Sequence, residues 1–172
     1  NPRYLGFLFL FFLYYNLYME TIALSYFDII ARLGLAILIG GIVGVERVIA
    51  HKKAGVRTYA LVSMGAAMFM VVSELITHMY LDSTAVDPSR IASQIIVGVG
   101  FLGGGLIVLS GDKLRGLTTA AGLWVAAGIG MATGLGFYML GFIASLFTIL
   151  VFTVLWQFER VVKKYFPEKK GK

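Results

Sequence analysis

Glu46 and Arg47 stand side by side at one edge of a short charged stretch, and Gly55-Val56-Arg57-Thr58 stands at the other. Further on, Arg115-Gly116-Leu117-Thr118-Thr119 brings the same residue types to the head of another apolar run. A helix N-terminus offers free backbone N–H groups and a positive dipole end, which suits an anion. Two such starts, with Arg47, Lys52, Lys53 and Lys113 nearby, could hold a phosphate, a lipid headgroup or an acidic partner segment. The competing reading is topological. Basic residues collect beside membranes, and Arg47 or Arg57 then does no more than pair with Glu46.

Acidic chemistry is thinner. Asp28, Glu74, Asp82 and Asp87 could face one another, and Mg²⁺ prefers carboxylate oxygens while keeping several waters. Arg32 and Arg90 are equally placed to neutralise these acids, and ordinary pairing is the favoured reading. Asp28 lies four residues before Arg32, so the two share a helix face and are expected to pair. Gln94 and Glu74 fall inside the ends of apolar segments. Gln94 is read first as an interhelical hydrogen-bonding residue.

Enzymatic constellations are missing from the sequence. There is no HExxH, no GxSxG and no Ser–His pair within an apolar run. The absence of cysteine excludes disulfides, thiolate chemistry and Cys-ligated metals. No enzyme, cofactor or dedicated metal site is expected.

The elements that position these residues follow from composition. Hydrophobic residues make up 59% of the 172-residue chain and charged residues 14%, with a mean hydropathy of +0.85. A soluble domain carries about 25% charge. The chain is therefore an all-α polytopic membrane bundle of one domain. Five apolar segments read as spans: Ile29–Val45, Tyr59–Met79, Ile91–Leu109, Leu117–Thr133 and Phe137–Phe158. Asp87 is placed as an N-cap with Pro88 at the first helical position. Trp124 reads as a packing or lipid-facing residue.

Loop charge sets the orientation. The stretch from Glu46 through Arg57 contains four Lys or Arg, Lys113 and Arg115 lie in the 110–116 connection, and six of the fifteen Lys and Arg follow residue 158. The connections 80–90 and 134–136 are not basic. Basic and non-basic loops alternate, so the positive-inside rule puts the charged stretch, the 110–116 loop and the C-terminus in the cytoplasm. His51 and His78 then fall on opposite sides. Net charge is +6, concentrated at the membrane surface, and no nucleic-acid partner is implied.

Residues 1–25 stand apart from the membrane domain, 26–160, and the basic tail, 161–172. Tyr4–Tyr18 is apolar but short for a span. It is either a sixth helix, a signal-like segment, an interfacial helix, or upstream sequence translated in error, with Met19 a plausible start.

Small residues recur at four-residue spacing: Gly40 and Gly44; Gly100 and Gly104; Gly122, Ala126, Gly130 and Gly134; Gly141 and Ser145. Such stripes let helices approach closely in lipid. Gly98-Val99-Gly100-Phe101-Leu102-Gly103 matches GxGxxG by letter only, because no βαβ unit surrounds it. It is read as tight helix packing, with a Gly-broken helix at a binding site as the minority alternative. A shift of 61 residues aligns Gly44 with Gly105, Lys52 with Lys113, Gly55 with Gly116 and Thr58 with Thr119, which suggests a parallel repeat of two helical hairpins.

These residues carry a family likeness. Gly44-Val45-Glu46-Arg47, Ala54-Gly55-Val56-Arg57-Thr58, Arg90-Ile91-Ala92, Gln94-Ile95, the glycine run 98–105 and Arg115-Gly116-Leu117-Thr118-Thr119-Ala120-Ala121 are similar to the MgtC/SapB family of bacterial inner-membrane proteins. Leu123-Trp124, Gly128-Ile129-Gly130 and Gly134-Leu135-Gly136 extend the likeness across residues 30–138. The resemblance implies a five-span protein of magnesium physiology, serving growth or survival in low Mg²⁺, often in virulence settings. It implies a regulator of other membrane proteins, the F-type ATP synthase among them, more than a Mg²⁺ carrier. Many family members add a cytoplasmic C-terminal domain resembling ACT domains. This chain departs from that pattern and looks like the short, SapB-like form.

The expectation is thus a five-helix bundle with a possible sixth N-terminal helix. Contacts are expected with membrane lipids and with a second copy or another membrane protein, such as the ATP synthase or a transporter. A channel or transporter for Mg²⁺ or another small solute is the alternative. The functional residues expected are Glu46, Arg47, Gly55, Arg57, Thr58, Arg90, Gln94, Arg115, Gly116, Thr118 and Thr119.

Overall fold

The structure, a computed structural model, describes residues 24–80 and 87–166. Tyr4–Tyr18 and Asp82 lie outside the described residues. The order of elements is α1 (Tyr26–Ile49), α2 (Val56–Met79), α3 (Ser89–Gly104), β1 (Val108–Ser110), β2 (Lys113–Arg115), α4 (Leu117–Gly134), α5 (Tyr138–Leu150), a π-helical turn (Val151–Leu155) and α6 (Trp156–Tyr165). The last three are continuous from Tyr138 to Tyr165. That run and α1, α2 and α4 are long and apolar enough to cross a membrane. The chain is an all-α membrane bundle.

Local chemistry explains the helix ends. Ser25 and Asp28 form a capping box on α1, with the Ser25 amide donating to Asp28 Oδ2 at 3.3 Å. Asp28 is therefore spent on the helix start and does not pair with Arg32, as its spacing had suggested. At the other end of α1, His51 takes a left-handed conformation with φ +54°. The His51 amide donates to the Val48 carbonyl and the Lys52 amide to the Arg47 carbonyl, each at 2.9 Å. These two hydrogen bonds stop the helix at Ile49, about one turn beyond Val45, the membrane edge inferred from hydropathy.

α3 is shorter than its apolar run. It ends at Gly104, and Val108–Ser110 pairs antiparallel with Lys113–Arg115 across a Gly111-Asp112 turn. The expected span end at Leu109 is therefore a strand of a two-stranded hairpin. β-branched and apolar residues there satisfy hydropathy equally well as helix or strand. Asp87 Oδ1 accepts from the Ser89 amide at 2.9 Å and the Ser89 hydroxyl at 2.7 Å. Those bonds hold the Asp87 carboxyl below the usual carboxylate range. Pro88 already has helical dihedrals.

α4 is the centre of the bundle and packs against α1, α2, α3 and α5. Its stripe of small residues is buried: Gly122, Ala126, Gly130 and Gly134. A Cβ at Gly130 would collide with the Ser63 carbonyl of α2, and one at Gly134 would stand 2.5 Å from the Ala67 carbonyl. Gly40 on α1 approaches Ser63 of α2 in the same way. Close backbone contact thus replaces side-chain interdigitation along the α1–α2–α4 seam.

α2 and α4 start at the same end of the bundle, which also carries the 50–55 turn and the hairpin. We call it the basic end. α3 runs back from the opposite end, where the Ser73 hydroxyl donates to the Pro88 carbonyl at 3.1 Å, to the basic end, where Gly103 faces Ala120.

A buried Glu–Arg pair at the basic end of the bundle

Arg47 is 3% exposed although its side chain is charged. Three neighbours make this tolerable. Glu46 Oε2 accepts from Nε and Nη2 of Arg47. The Arg47 guanidinium lies over the Phe152 ring, 3.4 Å from its centroid, a cation–π contact strengthened by desolvation. Tyr59, fully buried, completes the wall and donates through its hydroxyl to the Thr119 carbonyl at 3.4 Å. A charge held this way inside a membrane helix is neutralised locally.

Each partner is placed by a local feature. Glu46 and Arg47 occupy the last turn of α1, where a cation also complements the helix dipole. Phe152 belongs to the π-helical turn and is buried. Tyr59 fits because α4 has glycine at 122, where a Cβ would collide with the Tyr59 hydroxyl and the Phe152 ring. Gly116 caps α4 with φ +93°, and a Cβ there would collide with the Leu106 carbonyl. Only glycine satisfies both demands.

The other expected residues fall in three places. Gly55 caps α2 without a side-chain hydrogen bond. Arg57, Thr58, Arg115 and Thr118 are exposed around the basic end, whereas the Thr119 side chain is buried. The starts of α2 and α4 meet through Tyr59 and Thr119. Of the two arginines considered as partners for Glu46, Arg47 takes it. Arg90 and Gln94 are exposed on α3 and lie toward the opposite end, away from this cluster. Gln94 is not an interhelical hydrogen-bond donor among the described residues, contrary to its sequence reading. His51 and His78 lie at opposite ends, and Trp124 is exposed.

A second ion pair sits at the opposite end. Arg32 Nη1 donates to Glu74 Oε2 at 2.5 Å and to the Gly134 carbonyl at 2.8 Å. Ordinary pairing therefore accounts for Glu74, as expected from sequence. Among the described residues, no group of three His, Cys, Asp or Glu is close enough to hold a metal ion. The glycines of the GxGxxG stretch meet expectation only in part. Gly103 packs against Ala120 of α4 as expected, but a Cβ at Gly98 or Gly100 would meet nothing within 4 Å. Only one of the three glycines therefore serves tight packing inside the bundle.

Sequence reasoning missed Tyr59 and Phe152. Tyr59, Ser63 and Ala67 form an i, i+4 row of one aromatic and two small residues, and that pattern could have flagged the face that meets the glycines of α4. Phe152 carried no usable signal, because its position depends on the π-helical turn.

This arrangement defines a class: a polytopic membrane helix bundle with a neutralised ion pair near each end. The MgtC family model matches residues 33–161. The chain belongs to the MgtC family. It is 45% identical over 132 residues to YhiD of Escherichia coli K12, provisionally named as a magnesium transporter, covering 76% of this chain and 61% of that protein. It is 42% identical over 125 residues to the protein MgtC of Brucella abortus, covering 73% and 50%. It is 39% identical over 146 residues to the protein SapB of Bacillus subtilis, covering 83% and 61%. The matched region thus spans about half to three fifths of these relatives' lengths. No solved structure matches.

Proposed function

We propose that this chain is an MgtC-type protein of the bacterial inner membrane that serves magnesium homeostasis in low Mg²⁺, without enzymatic activity, by contact with a membrane partner. The family and the name of the Escherichia coli relative support the link to magnesium. The positive-inside rule supports a cytoplasmic basic end and C-terminus. The partner is a second copy or another membrane protein, with the ATP synthase or a transporter as candidates.

Uneven use of small residues carries the contact reading. The stripes on α1, α4 and α5 are closed against neighbouring helices, whereas Gly100 and Gly104 on α3 face open space. Val97 and Phe101 beside them are 68% and 85% exposed. A face of this kind suits a close helix–helix contact in lipid. The carboxylates of Glu46 and Glu74 each carry a guanidinium, which makes them poor stations for a divalent cation that favours free carboxylate oxygens.

Photo-crosslinking from Val97 in native membranes tests the proposal. One specific adduct is expected, and it should vanish in Gly100→Leu and Gly104→Leu. A liposome flux assay tests the transporter alternative. Mg²⁺ uptake by the purified protein that disappears in Glu46→Ala or Arg57→Ala would overturn the contact-only reading.

A further inference from the structure

Between α2 and α3 lies a groove of about 760 Å³. Leu61, Gly65 and Phe69 on α2 face Ile91, Gly98 and Leu102 on α3 across it. It exists because glycine replaces a side chain on both walls: a Cβ at Gly65 or Gly98 would meet nothing within 4 Å. It opens on a different side of α3 from Gly100 and Gly104, since residues two positions apart on a helix do not share a face. The inference does not rest on the partner-contact reading.

The groove's polarity is graded. Leu102 and Leu61 lie toward the basic end and are apolar. Its polar lining consists of Arg90 and Gln94, one helical turn apart at the opposite end. Among the described residues no carboxylate lies within ion-pair distance of Arg90. The nearest acid in sequence, Asp87, already accepts twice from Ser89. An apolar slot with a cation and an amide at its mouth is complementary to an anionic head on an apolar tail. The rise from Arg90 to Leu102 is about 18 Å along the helix. One leaflet's share of the hydrocarbon core is about 15 Å, half of the usual thickness.

We propose that this groove holds one acyl chain of an anionic phospholipid, with the headgroup phosphate on Arg90 and Gln94. A guanidinium–phosphate contact is charge-assisted and directional. The chain displaces no protein atom, because the space beside Gly65 and Gly98 is already open. The bound lipid completes the α2–α3 packing that the two glycines leave unfinished.

Native mass spectrometry of the purified full chain tests this, with dioleoyl phosphatidylglycerol and dioleoyl phosphatidylcholine offered at equal concentration. Wild type is expected to retain one phosphatidylglycerol with a preference of about tenfold, the scale of one charge-assisted hydrogen bond. Arg90→Gln should reduce the preference to about one while leaving some lipid bound, and it sits on the surface, where folding is unaffected. Gly98→Leu and Gly65→Leu should displace the lipid by filling the groove. Gly128→Leu, an equally open site on α4, serves as the control that keeps it. Equal retention of the two lipids by wild type would mean ordinary annular lipid and would overturn the proposal. So would an unchanged preference in Gly98→Leu, including the case where that variant instead disrupts self-association.

Discussion

Among the described residues the bundle holds two Arg–Glu pairs, one near each end, and they are built differently. Arg32 and Glu74 come from different helices, and Arg32 also reaches the Gly134 carbonyl, so a single guanidinium ties α1, α2 and α4. Glu46 and Arg47 are neighbours on one helix. Their ion pair joins no two elements, and the link to the rest of the bundle runs through the Phe152 ring. The first pair is a crosslink. The second is a charge kept neutral beside the exposed Lys52, Lys53, Arg57 and Arg115. Identical residue types thus crosslink three helices at one end and neutralise a charge within a single helix at the other.

The contrast is broken or upheld by measurement. Glu74→Ala should give the largest loss of stability, about 2–3 kcal/mol in SDS-titration unfolding. That is below the ~3–5 kcal/mol for a fully buried pair, because the two side chains are 13% and 24% exposed. A double-mutant cycle with Arg32→Ala should show strong coupling; additive effects would remove the crosslink from the account. Glu46→Ala should cost less, about 1–2 kcal/mol, although Arg47 is the more buried guanidinium, because it keeps its cation–π contact with Phe152 and lies in the last turn of α1, where it can extend toward water. Its effect on growth in low Mg²⁺ should nonetheless exceed that of Glu74→Ala, and the reverse order would contradict the division of roles.

Smaller changes sharpen the comparison. Phe152→Leu should cost about 1 kcal/mol more in wild type than in a background that already carries Arg47→Met, the difference being the lost cation–π contact. Arg57→Ala, exposed and without an ion pair among the described residues, should stay within about 0.5 kcal/mol of wild type. The smallest effect belongs to Asp87. Its depressed carboxyl contributes stability that is fully present above the unfolded value, about 4, and is lost as pH falls through the folded value. Asp87→Asn should remove that part of the acid sensitivity, seen as a flatter melting-temperature profile below about pH 4.

Much of the fold was legible because lipid imposes a simple code. Long apolar runs bounded by loop charge located α1, α2, α4 and the Tyr138–Tyr165 helix to within a few residues, except where helix and membrane end at different places. α1 continues through Glu46 and Arg47 because the two charges neutralise each other. The 156–165 segment continues as helix past the apolar run, with Lys163 donating to Glu159 one turn away at 2.5 Å. The error at 105–109 has a different source, since hydropathy is blind to hydrogen-bond direction and the Gly103-Gly104-Gly105 break was hidden inside an apolar run. At the candidate site, the Glu46–Arg47 pair was one of two pairings that the sequence left open for Glu46. The Tyr59–Phe152 enclosure was not legible, because it joins residues far apart in sequence through close helix contact.

The π-helical turn at Val151–Leu155 has a consequence for phase. An α-helix advances about 100° per residue, and the wider turn sets the surface below it out of step with the surface above. The bundle-facing stripe of Gly141, Ser145 and Thr148 is therefore not the stripe that continues into Trp156–Tyr165. Accessibility read residue by residue along 138–165 should oscillate with the ordinary helical period, slip once between 151 and 155, and resume offset. The two halves of one unbroken helix can in this way present independently chosen faces.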